Sequence, residues 1–193
     1  MTIEPNETGE ETRSSGLTRR EWIWTGAGVL VALLVIAAVA LGTNKPAKLG
    51  LTEMSRPAPD ITLTTLDGAT LRLSDLRGKI VLVNFWATWC EPCKTETPDL
   101  VAAASDFKER GLEIVGINLT DQDSDLDAIR RFVRLYGIPY PIMLDPEKKA
   151  QNAFGIYPIP TSYFIDSTGT IRYTRITVVT RDDIEYVLNV LNP

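Results

Sequence analysis

The chain has 193 residues, 44% apolar and 23% charged, with a formal net charge of −5, a balance that suits one globular domain plus extensions and argues against nucleic-acid binding through a basic surface. Histidine is absent, which excludes Ser-His-Asp and Cys-His catalysis, His-ligated metals and a haem held by imidazole. Cys90 and Cys93 are the only cysteines, so a multi-disulfide scaffold and a four-cysteine metal site are excluded and no metal is expected.

Residues 1–21 are polar and mix Glu4, Glu7, Glu10 and Glu11 with Arg13, Arg19 and Arg20; nothing there can bury a core, so a disordered tail is expected. Trp22 to Leu41 is an uncharged apolar run of twenty residues. As a helix it reaches roughly 30 Å, the thickness of a bilayer's hydrocarbon core. A transmembrane anchor over 22–42 is therefore expected, with Trp22 and Trp24 at the headgroup boundary and the lipid bilayer as a partner. The Arg19-Arg20 pair favours an inside N-terminus. The alternative is a cleaved signal peptide that leaves a soluble exported domain: Ala38-Val39-Ala40 fits a cleavage site, although the run exceeds the usual apolar length.

Residues 43–56 read as a linker, and the folded domain, 57–193, is expected to begin near Pro57. Ile61–Thr65 and Thr70–Leu73 alternate around Asp67-Gly68, a hairpin pattern. Ile80–Phe85 is a nearly continuous apolar run, typical of a strand covered on both faces. A helix should run from about Cys90 to Arg110, and Leu112–Leu119 gives a second buried strand. Ser124 with Asp127 suggests a helix start, and Leu126, Ile129, Val133 and Tyr136 form its apolar stripe, ended by Gly137. A short strand at Pro141–Leu144 and a short helix at Glu147–Phe154 follow. Thr161–Asp166 and Ile171–Thr177 form a hairpin around Gly169, and Thr180 caps a last helix with Ile184, Val187, Leu188 and Leu191 on one face. Strands alternating with helices, then a closing hairpin and helix, predict a three-layer α/β sandwich with a mixed sheet.

The chemistry centres on Trp89-Cys90-Glu91-Pro92-Cys93, which follows a buried strand and opens a helix. Two thiols three residues apart lie within one helical turn, close enough to form and break a disulfide with little backbone movement. Unpaired N–H groups and the positive end of the helix dipole favour a thiolate on the first cysteine. Cys90 is thus the expected nucleophile, and Cys93 resolves the mixed disulfide. Pro92 is tolerated because its missing N–H would be unpaired in the first turn anyway. A metal knuckle lacks further ligands, a c-type haem site would need histidine where Lys94 stands, and a static disulfide this short would constrain almost nothing. Redox cycling is the reading left.

The segment Val83-Asn84-Phe85-Trp86-Ala87-Thr88-Trp89-Cys90-Glu91-Pro92-Cys93-Lys94-Thr95-Glu96-Thr97-Pro98 resembles the signature of the thioredoxin superfamily. Its best match is the ResA/TlpA-like branch of membrane-anchored thiol–disulfide oxidoreductases, over about residues 55–193. The resemblance implies a thioredoxin-like fold with an N-terminal β-hairpin and an inserted helix and strand at about Ser124 to Pro146. It implies a cis-proline at Ile159-Pro160-Thr161 facing the cysteines, which keeps Cys90 from binding metal and offers the Ile159 backbone to an incoming peptide. Trp86 and Trp89 would form an apolar floor, so Trp89, Glu91, Pro92, Ile159 and Pro160 are the candidate substrate-contacting residues. Thioredoxin's buried acid on the central strand is replaced by Asn84, whereas Glu96 occupies the place of the branch's helix glutamate. Glu96 is therefore expected to be a partly buried carboxyl that tunes the thiols and relays the resolving proton. Glu91, a negative neighbour, should oppose a thiolate on Cys90 and favour a reducing pair. Pro98 should kink the active-site helix.

The implied function is reduction of disulfides in extracytoplasmic proteins, with apocytochrome c the usual case, fed by a thiol-transporting electron donor in the membrane. No cofactor beyond the redox-active Cys90–Cys93 pair is expected. Two alternatives are a thiol peroxidase, disfavoured by Ala87 where a threonine is wanted, and a non-catalytic metal- or partner-binding module, which lacks the wider cysteine spacing and histidine of copper-delivery relatives.

Overall fold

Strand β4 (Ile80–Trp86) is buried at every position, as a run of this composition must be when both faces of a sheet are covered. A computed structural model describes residues 50–192. Around β4 are β1 (Leu51–Pro57), β2 (Thr62–Thr64), β3 (Thr70–Arg72), β5 (Leu112–Asn118), β6 (Ile142–Leu144), β7 (Thr161–Ile165) and β8 (Thr170–Ile176). The helices are α1 (Glu91–Asp106), α2 (Leu126–Tyr136), α3 (Lys149–Phe154) and α4 (Arg181–Leu191).

Six strands form one sheet in the order β1-β8-β7-β4-β5-β6, and β2 pairs with β3 as a separate hairpin. β4 is parallel to β5 and antiparallel to β7, so the sheet is mixed, with β4 central. Side chains alternate across it with the two-residue period of a strand. Ile80 and Leu82 meet Leu100 of α1 and Ile184 and Leu188 of α4 on one face. Val81, Val83 and Phe85 meet Leu63 of the hairpin and Phe154 of α3 on the other. A third cluster, around Trp86, Cys90, Cys93, Ile129, Phe132 and Ile142, joins α2 to the cysteine pair. This is the thioredoxin-like α/β sandwich, with both the hairpin and the inserted helix and strand in place.

Several local expectations shift. Part of the expected linker, Leu51–Arg56, belongs to edge strand β1, which pairs antiparallel with β8. Its mostly polar sequence carries no clear alternation, so pairing with a distant strand, not local pattern, makes it a strand. Helix α1 stops at Asp106 instead of running to Arg110; a 3-10 turn at Lys108–Arg110 and Gly111, at φ 80°, redirect the chain. Pro98 is carried inside α1 without ending it. The start of α2 is capped by Asp125, not Ser124: its carboxylate accepts the Ala128 N–H at 2.6 Å. The buried stripe of α2 also differs from the expected one, with Leu126 40% exposed and Phe132 buried beside Ile129. Phe132, three residues after Ile129, stacks on Trp86 at a ring separation of 4.6 Å. The expected tail, the anchor at 22–42 and the first part of the linker lie outside the described residues. Among the described residues, no helix is long and apolar enough to cross a membrane.

The last helix starts as expected. Thr180 accepts the Asp183 N–H, and Asp183 returns a bond to the Thr180 N–H, a reciprocal capping box. Replacing Thr180 with alanine should cost about 1 kcal/mol of unfolding free energy in urea titration, as loss of a helix cap does.

Candidate active site

Where β4 hands over to α1, the chain turns at Ala87–Trp89, and the Cys90 N–H donates to the Ala87 carbonyl at 3.3 Å. Cys90 is the N-cap of α1, in extended backbone geometry, and its Sγ accepts the Cys93 N–H at 3.2 Å. Sulfur thus stands where a serine or aspartate oxygen usually caps a helix. The two cysteines are joined by a disulfide, with Sγ–Sγ 2.10 Å and Cα–Cα 5.2 Å. Both are buried, Cys90 3% and Cys93 1% exposed. Pro92 lies in the first turn, where no N–H is needed. Thr97 donates its hydroxyl to the Cys93 carbonyl at 2.7 Å, one turn on.

Glu96 is only 1% exposed, although among the described residues no cation faces it at bonding distance. One carboxylate oxygen accepts the Asn84 amide at 2.7 Å; the other accepts the Val179 backbone N–H at 2.8 Å. Asn84 also donates to the Ser162 hydroxyl at 3.1 Å, so β4, β7, α1 and the approach to α4 converge here. Burial pushes the Glu96 carboxyl up from 4.5 to about 7, against the pull of the Val179 and Asn84 donors. Tyr140 is held above its ordinary range, first by burial and then by the Glu96 charge.

The Ile159–Pro160 bond is cis, and Ile159 packs against the cluster that holds both cysteines. The two tryptophans separate. Trp86 is buried under Phe132, whereas Trp89 is 53% exposed and donates its indole N–H to the Gln122 carbonyl at 2.9 Å. Glu91 points into solvent and pairs with Lys94 at 2.5 Å, so its repulsion of a Cys90 thiolate is offset by a cation and screened by water.

Sequence reading missed several polar groups around this centre. Val179 contributes only a backbone N–H, and Ser162 and Tyr140 carry no motif. Asp123, among the alternating acids ahead of α2, carries no motif either, yet it bonds to Thr88 and Asn118. The buried strand end that delivers Asn118 was the available signal, because sites on α/β sheets gather at the carboxyl ends of strands. Among the described residues no group of three or more His, Cys, Asp or Glu side chains could hold a metal ion.

Residues 54–174 match the AhpC/TSA family. The thiol-disulfide oxidoreductase ResA of Geobacillus kaustophilus is 33% identical over 165 residues, covering 86% of this chain and 93% of that protein. A thiol:disulfide interchange protein of the thioredoxin family from Chlorobium tepidum is 30% identical with a TM-score of 0.64, over 72% of this chain and 98% of that one. A secreted Mycobacterium tuberculosis disulfide oxidoreductase homologous to E. coli DsbE is 25% identical with a TM-score of 0.61, over 68% of this chain and 96% of that one. With its cysteine pair closed as a disulfide at a helix start, the chain belongs to the AhpC/TSA family and, within it, to the ResA-type thiol–disulfide oxidoreductases.

Proposed function

We propose that this oxidoreductase works as a reductant outside the cytoplasmic membrane, anchored through residues 22–42, on disulfides of exported proteins such as apocytochrome c. Its electrons would come from a thiol-transporting partner in the membrane. The uncharged run from Trp22 to Leu41 supports the anchor, and the likeness to a secreted disulfide oxidoreductase supports the compartment. The observation that carries the chemistry is the Cys90 sulfur seated on the first-turn N–H of α1.

In the reduced enzyme the Cys90 thiolate, held by the Cys93 N–H and the helix dipole, attacks one sulfur of a substrate disulfide. A mixed disulfide forms and the first substrate thiolate leaves. Cys93 then gives up its proton and attacks the Cys90 sulfur, which restores the intramolecular disulfide and releases the second substrate thiolate. Two electrons pass to the substrate, and the cysteine pair carries them without another cofactor. Glu96, one turn beyond Cys93 and poised near neutral pH, is the acceptor for the Cys93 proton. Trp89, Glu91, Pro92 and the Ile159–Pro160 edge would contact the polypeptide. A thiol peroxidase reading gains nothing from the site: Ala87 is fully buried and has no hydroxyl to offer a peroxide.

Cys90→Ser should abolish reduction of a model disulfide, and Cys93→Ser should accumulate a Cys90 adduct isolable from membranes. Activity of Cys90→Ser at the wild-type rate would overturn the reading.

Glu96 links the site to stability. The folded carboxyl holds its proton up to about 7, the unfolded one only to about 4.5, so the folded state binds more protons across that window. The contribution is complete below pH 4.5 and is lost as pH climbs through 7, on the order of 3 kcal/mol in all. Between pH 5 and 8, wild type should therefore lose about 2 kcal/mol more stability than Glu96→Gln in urea unfolding. The same substitution should remove an inflection near neutral pH from the rate of disulfide exchange.

A further inference from the structure

Thr88 and Trp89, the two residues before Cys90, are both fastened to the loop that follows β5. The Asp123 carboxylate accepts the Thr88 backbone N–H at 2.9 Å and, on its other oxygen, the Thr88 hydroxyl. It also accepts the Asn118 amide at 2.8 Å and the Ser124 N–H at 3.2 Å. Next to it, the Gln122 carbonyl holds the Trp89 indole N–H. The loop itself is tied to the sheet end, because Leu119 N–H donates to the Trp86 carbonyl at 3.0 Å and Gln122 N–H to the Leu119 carbonyl at 2.9 Å. Four donors on one carboxylate are more than a solvated loop residue needs. Their combined effect is to fix the turn that presents Cys90 and to pin, through its N–H, an indole that is 53% exposed.

We propose that Asp123 is a positioning residue for disulfide exchange with polypeptides: by clamping Thr88 it sets the exposed Trp89 ring beside Cys90 as a fixed docking plate for apolar side chains flanking a substrate cystine. The ordering of that plate is completed during folding, so binding a polypeptide does not have to supply it. A small disulfide reaches the sulfur without using the plate. The inference rests on Cys90 being the attacking sulfur, a reading that would fail separately, through Cys90→Ser retaining exchange with any disulfide.

The test compares insulin and hydroxyethyl disulfide as substrates of the full-length chain. Asp123→Ala should raise KM for insulin about tenfold, with kcat and the rate on hydroxyethyl disulfide within about twofold of wild type. Asp123→Asn should stay within about twofold on both, since its amide oxygen can accept the Thr88 and Asn118 donors while its NH2 donates to the Thr88 hydroxyl, and only the exposed Ser124 N–H loses its acceptor, to water. Equal losses on both substrates, or an unchanged insulin KM in Asp123→Ala, would overturn the proposal. If Asp123→Ala does not fold, Thr88→Val, which removes only the hydroxyl donor, decides. A selective rise of about threefold in insulin KM supports the clamp, and no rise refutes it.

Discussion

A helix cannot begin without something to receive its first N–H groups. In this protein the receiver is a sulfur atom. That single bond, from the Cys93 N–H to the Cys90 Sγ, makes the reacting atom part of the fold's local grammar. The rest of the site follows from it. β4 must end at Trp86, the turn must be short, and the second cysteine must fall inside the first turn, on the core side. Burial of both sulfurs then limits reaction to partners that fit the surrounding surface.

The second organising element is the Glu96 carboxyl. A carboxylate taken from water without a cation is costly, and its two neutral donors compensate only in part, which is why the proton stays on to near neutral pH. The donors come from distant parts of the chain: Asn84 from the central strand, Val179 from the connection ahead of α4. The thioredoxin-like layers are therefore more than a scaffold under the cysteines. They bring one amide and one backbone N–H to opposite oxygens of the same group.

What could be seen in the sequence were features in which local pattern and tertiary role coincide. The apolar run of β4 and the cysteine spacing at a strand-to-helix junction carry their own signal, whereas Glu96 and the Ile159-Pro160 step were legible only through the family resemblance. What could not be seen depends on partners far away along the chain. β1 is a strand because β8 offers a free edge, although its own residues alternate poorly. Val179 bonds to a side chain 83 positions distant through a backbone group that every non-proline residue possesses. Asp125 caps α2 because the turn places its carboxylate on the Ala128 N–H, and packing against Trp86 buries Phe132 while Leu126 stays partly exposed. Asp123 belongs to a run of alternating acids, and only the loop's return to the end of β4 reveals its partner.

The capping box of α4 lies directly after Val179. Securing the first turn of the final helix also aims the preceding amide at the buried acid, so a terminal element on the far side of the sheet from the hairpin has authority over proton affinity at the reaction centre. On the role proposed for Glu96, the carboxy-terminal layer thus serves the reaction as well as the shell.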